Sequence, residues 1–157
     1  MKGNDLQMRA VLQRVDHAEV SVDGEIVGSC GYGMLILLGI NTEDTEEEAD
    51  LLCDKIAKLR IFSDENGKMN LSIKDIGGRA MVVSNFTLHA NYAHGNRPDY
   101  LNSAPPILAN ELYEFFIEEL SARVGKCESG VFGADMRTEM STDGPVTIVM
   151  DSLVLRK

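Results

Sequence analysis

The sequence is poor in cysteine and has no long hydrophobic run. Its three cysteines, Cys30, Cys53 and Cys127, form no C-x-x-C pair, and their odd number argues against a disulfide framework or a structural zinc site. No apolar run approaches the roughly 20 residues that cross a bilayer, and the N-terminus lacks the basic and then apolar pattern of a signal peptide. We therefore expect a soluble, cytoplasmic protein with reduced thiols.

Basic side chains are also scarce, because 15 Lys and Arg stand against 25 Asp and Glu and leave a formal net charge of −10. Binding along a nucleic acid depends on neutralising many phosphates, so this balance argues against a long footprint of that kind. A contact with one end of a nucleic acid stays open, because it needs only a local patch.

The usual chemical motifs are missing as well. The sequence has no glycine-rich phosphate loop, no H-E-x-x-H and no G-x-S-x-G. His89 and His94 lie five residues apart in a polar stretch, which is no recognised ligand spacing and favours solvated loop positions. A conventional side-chain mechanism has little support, and we expect no metal and no cofactor.

The chain length and the N-terminal pattern indicate a sheet within one domain. A chain of 157 residues predicts a single domain that buries roughly 70% of its unfolded surface. Alternating apolar residues predict strands at 9–15, 18–22 and 25–27, with a hairpin turn at Asp23-Gly24. The run 34–40 is apolar throughout, which is typical of a central strand covered on both faces.

Two amphipathic helices are predicted. Thr45-Glu46-Glu47-Glu48 has the form of a capping box, and apolar residues at helical spacing extend the first helix to about Arg60. The second helix begins at Pro105-Pro106. Its apolar stripe consists of Leu108, Leu112, Phe115, Phe116 and Leu120.

Three further strands are predicted, over residues 79–88, about 127–140 and 145–155. Residues 68–72 are a loop or a short strand. The stretch 89–106 is polar and rich in Asn, Gly and Pro, and it is long for a passive loop in a compact domain. We therefore expect it to have a functional role.

Gly144-Pro145 is unusual because it directly precedes Val146-Thr147-Ile148-Val149-Met150, a run that is typical of an interior strand. Proline cannot donate to a strand ladder and is confined to strand starts, edges and bulges. The pair can direct bare main-chain carbonyls out of a sheet and so line a pocket with backbone. Taken alone, an ordinary turn at 142–145 is the better interpretation.

Two segments together carry a resemblance: Ser84-Asn85-Phe86-Thr87-Leu88 and Thr142-Asp143-Gly144-Pro145-Val146-Thr147. They resemble the Ser-Gln-Phe-Thr-Leu and Asn-x-Gly-Pro-x-Thr motifs of the D-aminoacyl-tRNA deacylases. The similarity covers nearly everything from Met8 onward, so residues 8–157 are expected to form the deacylase-like domain and residues 1–7 an extension or mobile tail. Asn85 and Thr142 depart from the family's usual Gln and Asn.

The resemblance implies a fold and an activity. The fold is a single α+β domain, in which a strongly curved mixed β-sheet approaches a barrel with two main amphipathic helices packed outside, and the protein is a homodimer. The reaction is hydrolysis of the ester of D-aminoacyl-tRNA, and of glycyl-tRNA mischarged on tRNA(Ala), to free amino acid and tRNA. A cis Gly-Pro peptide reaches into the partner's active site and rejects L side chains.

The resemblance also implies the site residues. Phe86 and Thr87 are expected to be catalytic, through backbone N–H groups that polarise the ester carbonyl while the ribose 2′-hydroxyl assists attack by water. The expected substrate-binding residues, which hold the 3′ terminal adenosine and the scissile ester, are Ser84, Asn85, Phe86, Thr87, Met136, Gly144 and Pro145. Candidates for contact with the acceptor end of the tRNA are Arg14, Lys68, Arg97 and Arg137, for which a solvated surface role is at least as well supported.

Two other functions remain open. One is a non-hydrolytic module that binds the end of a nucleic acid, and the other is a hydrolase of small D-amino acid esters.

Overall fold

The computed structural model describes residues 7–156. It contains two α-helices, α1 (Glu46–Lys58) and α2 (Pro106–Val124), and two short 3₁₀ segments, Phe86–His89 and Ser152–Leu155. The eight strands are β1 (Arg9–Val22), β2 (Glu25–Cys30), β3 (Gly33–Gly39), β4 (Phe62–Ser63), β5 (Met69–Leu71), β6 (Arg79–Ser84), β7 (Glu128–Ser129) and β8 (Arg137–Asp151).

The main sheet is mixed and curls into a nearly closed barrel. Its strand order is β2-β1-β3-β6-β7, and β8 pairs along the other side of β1. The β3–β6 and β6–β7 pairs are parallel, whereas β1 is antiparallel to all three of its partners. The two ends of the path meet, because Gly28 of β2 lies directly against the Ser129 backbone of β7.

The two faces of the sheet are buried against different neighbours. On the outer face, residues such as Leu12, Ile36 and Val82 pack against the helices, including Leu52 of α1 and Phe116 of α2. On the inner face, a smaller cluster fills the barrel: Val15, Ala18, Val20, Leu35, Met81 and Val83. Because β3 contributes to both clusters, it is apolar at successive positions, as the sequence predicts.

Both predicted helices are present at the expected places. Thr45 caps α1 with the complete capping box, in which the Glu48 side chain returns to the Thr45 N–H. Helix α2 begins with Pro106 in its first turn, where a missing N–H costs nothing, and Gly125 follows its last residue. Neither helix in the described range 7–156 is long and apolar enough to cross a membrane.

The predicted strand 79–88 is too long. Strand β6 ends at Ser84, which is the last residue paired with β3. The chain then turns into the 3₁₀ segment Phe86–His89, so Phe86 and Thr87 are not strand residues. The two segments that carry the family resemblance, 84–88 and 142–147, are called the signature motifs from here on. This turn brings the first of them to the edge of the sheet.

The last part of the chain also differs from the prediction. The expected strand 127–140 is only the two-residue β7 and the start of β8, and β8 runs without interruption through Gly144-Pro145. The interpretation of 142–145 as an ordinary turn between strands is therefore wrong. Strands 9–15 and 18–22 are likewise one strand, β1, whose register against β8 shifts at its middle. Of the predicted extension 1–7, only Gln7 lies within the described residues.

Candidate functional site

A cavity of about 590 Å³ opens where β6 ends, beside the first turn of α2. Its wall combines the C-terminal end of β6, the start of α2 and the segment that leads into β8. The lining residues are Ile40, Ser84, Asn85, Phe86, Tyr100, Ser103, Ala104, Pro105, Pro106, Ala109, Phe132, Gly133, Ala134 and Met136. The structure thus brings together four of the predicted site residues, Ser84, Asn85, Phe86 and Met136.

The 3₁₀ segment is held to the sheet and to the long polar loop by hydrogen bonds to its backbone and to that of Asn85. The Asn85 N–H donates to the Leu38 carbonyl at 2.8 Å, and the Ser103 hydroxyl donates to the Phe86 carbonyl at 2.9 Å. Phe86 is 56% exposed, and its ring meets Tyr100 edge-on, with ring centroids 5.0 Å apart. The loop predicted to be functional therefore supplies one wall of the cavity.

His89 supports the segment from behind and is not the solvated loop residue that the sequence suggested. It is 1% exposed, and its Nε2 lies 3.2 Å from the Gly39 carbonyl oxygen. Burial lowers the pKa of His89, so the ring is held neutral and its Nε2–H donates to Gly39. Arg9 adds a second support, because its Nη1 donates to the Leu88 carbonyl at 3.3 Å.

Met136 reaches the cavity past a glycine. A Cβ at Gly130 would lie 2.6 Å from the Met136 sulfur, so the Met136 side chain occupies the space that the glycine leaves open. Phe132 packs against Tyr113 with centroids 5.8 Å apart, and the Tyr113 hydroxyl donates to the buried Val82 carbonyl at 2.8 Å. The apolar side of the cavity is thus fixed to the core.

Thr87 lies at the edge of this cavity. Its side chain is exposed, and the hydroxyl donates to the Asn85 side-chain oxygen at 2.5 Å. Among the described residues, those that line the cavity include Asn85 and Phe86, which directly precede Thr87, but not Thr87 itself.

Gly144 and Pro145 lie elsewhere in the chain, on a bulge of β8. Gln13 of β1 pairs with Thr147 and Val15 pairs with Thr142, so residues 143–146 stand opposite Arg14 alone. A bulge is a position that proline tolerates, and the Gly144–Pro145 peptide bond is cis. Strand β8 is separated from β6 by β1 and β3, so one chain does not bring these two residues to the cavity.

Arg14 holds the base of this bulge. Its Nε lies 3.1 Å from both the carbonyl and a carboxylate oxygen of Asp143, and its Nη1 donates to the Ile61 carbonyl at 2.8 Å. The residue is only 7% exposed. The solvated surface role considered for Arg14 is therefore wrong, because its guanidinium is buried and binds Asp143 and Ile61, and its contact with tRNA stays a prediction.

The other basic candidates are on the surface. Lys68 and Arg97 are exposed, and exposed Arg137 pairs with Asp135 at 3.1 Å one residue from Met136. Sequence reasoning missed Ser103 and Tyr100, which reach the cavity from the polar loop. The unusual length of that loop is the signal that could have indicated them.

Comparisons with known proteins agree with one another. The family model described as D-Tyr-tRNA(Tyr) deacylase matches residues 11–151. A relative from Parabacteroides distasonis named D-aminoacyl-tRNA deacylase is 51% identical over 146 residues, which are 92% of this chain and 97% of that protein. One with the same name from Ruegeria pomeroyi is 54% identical over 144 residues, 92% and 99% of the two chains.

Two solved structures share the fold. One, titled c-Myc DNA Unwinding Element Binding Protein, is 40% identical, has a TM-score of 0.85 and is matched over 90% of this chain and 97% of that chain. The other, titled as a probable eukaryotic D-amino acid tRNA deacylase, has a TM-score of 0.81 at 14% identity, with 92% and 98% coverage. The second likeness concerns the fold alone.

Proposed function

This chain belongs to the D-Tyr-tRNA(Tyr) deacylase family, and we propose from that premise that it hydrolyses the ester bond between a D-amino acid and tRNA in the cytoplasm. The observation that carries the proposal is the family match over residues 11–151, which includes both signature motifs, together with a cavity at the first of them. Glycyl-tRNA mischarged on tRNA(Ala) is a second proposed substrate, since glycine has no side chain to reject.

The proposed ligand is the 3′ end of the tRNA, its terminal adenosine and the attached amino acid. A cavity of about 590 Å³ lies within the range that holds small ligands. Phe86 and Met136 offer apolar surface for a base or an aromatic side chain, and Ser84 and Asn85 offer polar groups. The net charge of −10 favours recognition of this end over a long phosphate footprint.

For catalysis, we assign the backbone N–H groups of Phe86 and Thr87 to the ester carbonyl. They stand in the first turn of a 3₁₀ segment, where N–H groups have no partner within the helix. Donors aimed at a developing oxyanion are a strong source of rate enhancement. The ribose 2′-hydroxyl of the tRNA then assists the attack of water on the ester.

The proposed chiral filter requires a second copy of the chain. Gly144 and Pro145 project from the bulge on β8, two strands removed from β6, and so would reach a cavity only in a partner. Strand β8 is also a sheet edge, and its Val149 is 73% exposed. Long edges with apolar residues are suited to pairing. We therefore propose a homodimer whose sites each combine both chains.

The activity is tested by deacylation of D-tyrosyl-tRNA and L-tyrosyl-tRNA by the purified protein, with Pro145→Ala in parallel. The proposal expects rapid loss of the D ester, a stable L ester, and weakened discrimination in the variant. Glycyl-tRNA(Ala) in the same assay tests the second substrate. No turnover of the D ester by folded protein would refute the proposed reaction.

Mixing two variants tests whether the filter acts across the dimer. Phe86→Ala damages the cavity, and Pro145→Ala damages the bulge. In a mixed dimer, one site combines the intact cavity of the second variant with the intact bulge of the first. D-selective turnover that is restored after subunit exchange supports a shared site. A mixture whose activity and selectivity equal the average of the two separate variants would place the filter in the same chain as the cavity.

A binding module without hydrolysis is the second candidate, because one relative of known structure is titled as a DNA-binding protein. The charge of −10 argues against duplex binding. A titration of nucleic acid affinity against salt separates the two, since a steep slope indicates many phosphate contacts. The third possibility, hydrolysis of small D-amino acid esters, is tested by comparing free esters with aminoacyl-tRNA.

A further inference from the structure

The side chains of Asn85 and Thr87 form a direct contact at the edge of the cavity. The Thr87 hydroxyl donates to the Asn85 side-chain oxygen at 2.5 Å. The family's usual residue at position 85 is Gln, whose carbonyl is one methylene further from the backbone. The shorter Asn suits a contact between residues i and i+2, which is a common local motif for Asn and Thr.

Asn85 is well placed to fix the direction of that hydroxyl. Its own N–H donates to the Leu38 carbonyl at 2.8 Å, and its carbonyl accepts from the Leu88 N–H at 3.3 Å. A Cβ at Gly39 would lie 3.1 Å from the Asn85 carbonyl oxygen, so the backbones approach closely there. The residue is thus anchored on both sides, and its side chain lines the cavity.

The chemistry of the pair limits what Thr87 can do. A hydroxyl has one proton and two lone pairs, so a threonine that donates to Asn85 has only acceptor capacity left. An amide oxygen is not a base that could remove the proton, and a threonine without such a base is a weak nucleophile. The arrangement therefore leaves Thr87 with acceptor capacity next to Asn85, a residue that lines the cavity.

We propose that Asn85 is a positioning residue, which holds the Thr87 hydroxyl as a hydrogen-bond acceptor for a donor group at the aminoacyl-ribose end of the substrate. This inference rests on the proposed function, and it assigns one O–H or N–H donor of the ligand to Thr87. The ligand has two groups of that chemistry next to the ester, the ribose 2′-hydroxyl and the α-amino group.

A double-mutant cycle on binding tests the pairing. The probe is 3′-(D-tyrosylamino)-3′-deoxyadenosine, an amide analogue that the enzyme cannot turn over as an ester, with affinity measured by calorimetry. Thr87→Val should weaken binding about fivefold and Asn85→Ala about two- to fivefold, as expected for neutral hydrogen bonds. The double variant should bind no more weakly than Thr87→Val alone, because Asn85 acts only through the hydroxyl.

Two analogues identify the donor, one without the 2′-hydroxyl and one without the α-amino group. The analogue that lacks the true donor should bind Thr87→Val and wild type equally. A pH series of Asn85→Asp adds a readout that loss of packing would not give. A carboxylate can only accept from the Thr87 hydroxyl, whereas its protonated form can also donate to that hydroxyl and compete with the donor of the ligand, so analogue affinity should fall as pH drops through the carboxyl range in this variant alone.

Asn66→Ala, on an exposed turn, is the matched control for an Asn truncation and should leave affinity unchanged. Additive losses in the double variant, or full affinity in Asn85→Ala, would overturn the inference, as would sensitivity to Thr87→Val with both analogues. Wild-type protein that binds the amide analogue but does not hydrolyse D-tyrosyl-tRNA would refute the proposed reaction, and the cycle would still decide the role of Asn85.

Discussion

The two signature motifs are held in place by different kinds of interaction. The motif at the cavity, Ser84 to Leu88, is fixed by several hydrogen bonds to different parts of the chain, made with the Leu38 carbonyl of β3, the Ser103 hydroxyl and the Arg9 guanidinium. The bulge with Gly144 and Pro145 is fixed at its base by one buried guanidinium. The first region therefore distributes its stability over several weak contacts, whereas the second depends on a single side chain.

This difference matters for function because both regions must be rigid for the proposed selectivity. A filter made of main-chain carbonyls discriminates only when the backbone is held still. A guanidinium has donors in a fixed fork, so Arg14 can bind Asp143 and Ile61 at the same time. Removal of one residue should thus affect the bulge far more than the cavity.

Arg14→Ala is expected to cause the largest loss of stability. It leaves the Ile61 carbonyl without its donor and Asp143 without its cation, and breaking a largely buried ion pair costs about 3 kcal/mol. Urea unfolding at fixed protein concentration measures the loss in stability. The ratio of D-tyrosyl-tRNA to L-tyrosyl-tRNA hydrolysis should fall with it, because the bulge loses its anchor.

Arg79→Ala is the control for Arg14, since its ion pair with Glu128 is half exposed and should contribute at most about 1 kcal/mol. Arg14→Lys separates charge from geometry, because lysine retains the charge but lacks the fork. Wild-type discrimination by a folded Arg14→Lys protein would show that charge alone holds the bulge.

Asp44, close to the cavity loop, makes the stability of the protein depend on pH. Its carboxylate accepts from the Asn41 N–H at 2.6 Å, within a turn whose Thr42 N–H donates to the Asn102 carbonyl of the cavity loop. Burial raises the pKa of Asp44 from 3.8 to about 7. The folded state therefore binds the proton more tightly, and stability falls as the pH rises from about 4 through 7.

Asp44→Asn should remove this loss. The variant should match wild type near pH 4 and exceed it by roughly 2 to 4 kcal/mol at pH 8, as read from unfolding curves at both pH values. Asp75→Asn is the control of opposite sign, because hydrogen bonds from Ser72 lower the pKa of Asp75 and favour its charged form. Equal pH profiles for wild type and Asp44→Asn would contradict the prediction.

Gly144→Ala tests whether the backbone of the bulge is rigid. Gly144 has a φ of +132°, and a Cβ there would lie 2.7 Å from the Val146 nitrogen. Gly24 also has a positive φ, but a Cβ there would meet nothing within 4 Å. The difference in unfolding free energy between the two alanine variants should be about 1 to 2 kcal/mol, and only Gly144→Ala should alter D/L selectivity. Equal costs would show that the bulge yields without strain.

The parts of the fold that follow from local pattern could be predicted from the sequence. The capping box of α1, Pro106 at the start of α2 and the apolar run of β3 all depend on residues close together in the chain. The end of β6 could not be predicted, because its pairing is with β3, a strand that is distant in sequence. The site residues in the two motifs could be identified from the sequence only through the resemblance to the family.

The position of Arg14 shows a second limit of the sequence. An arginine in an alternating strand reads as a surface charge, and its burial depends on Asp143 and Ile61, which are far away in sequence. Likewise, His89 is buried only because the 3₁₀ segment turns it toward Gly39. Long-range partners of this kind leave no local pattern.

Ser103→Ala is expected to have the smallest effect and tests the distributed support of the cavity. It removes the hydroxyl that donates to the Phe86 carbonyl, a neutral hydrogen bond worth about 1 kcal/mol. Ser121→Ala is the matched control, because that hydroxyl accepts from the Cys127 N–H at 3.0 Å, away from the cavity. Both variants should lose similar stability. Only Ser103→Ala should raise KM for D-tyrosyl-tRNA, about two- to fivefold, since the 3₁₀ segment that positions the substrate becomes less rigid. An unchanged KM would mean that the sheet contacts alone hold the motif, and the contrast between a distributed and a single support would then be weaker.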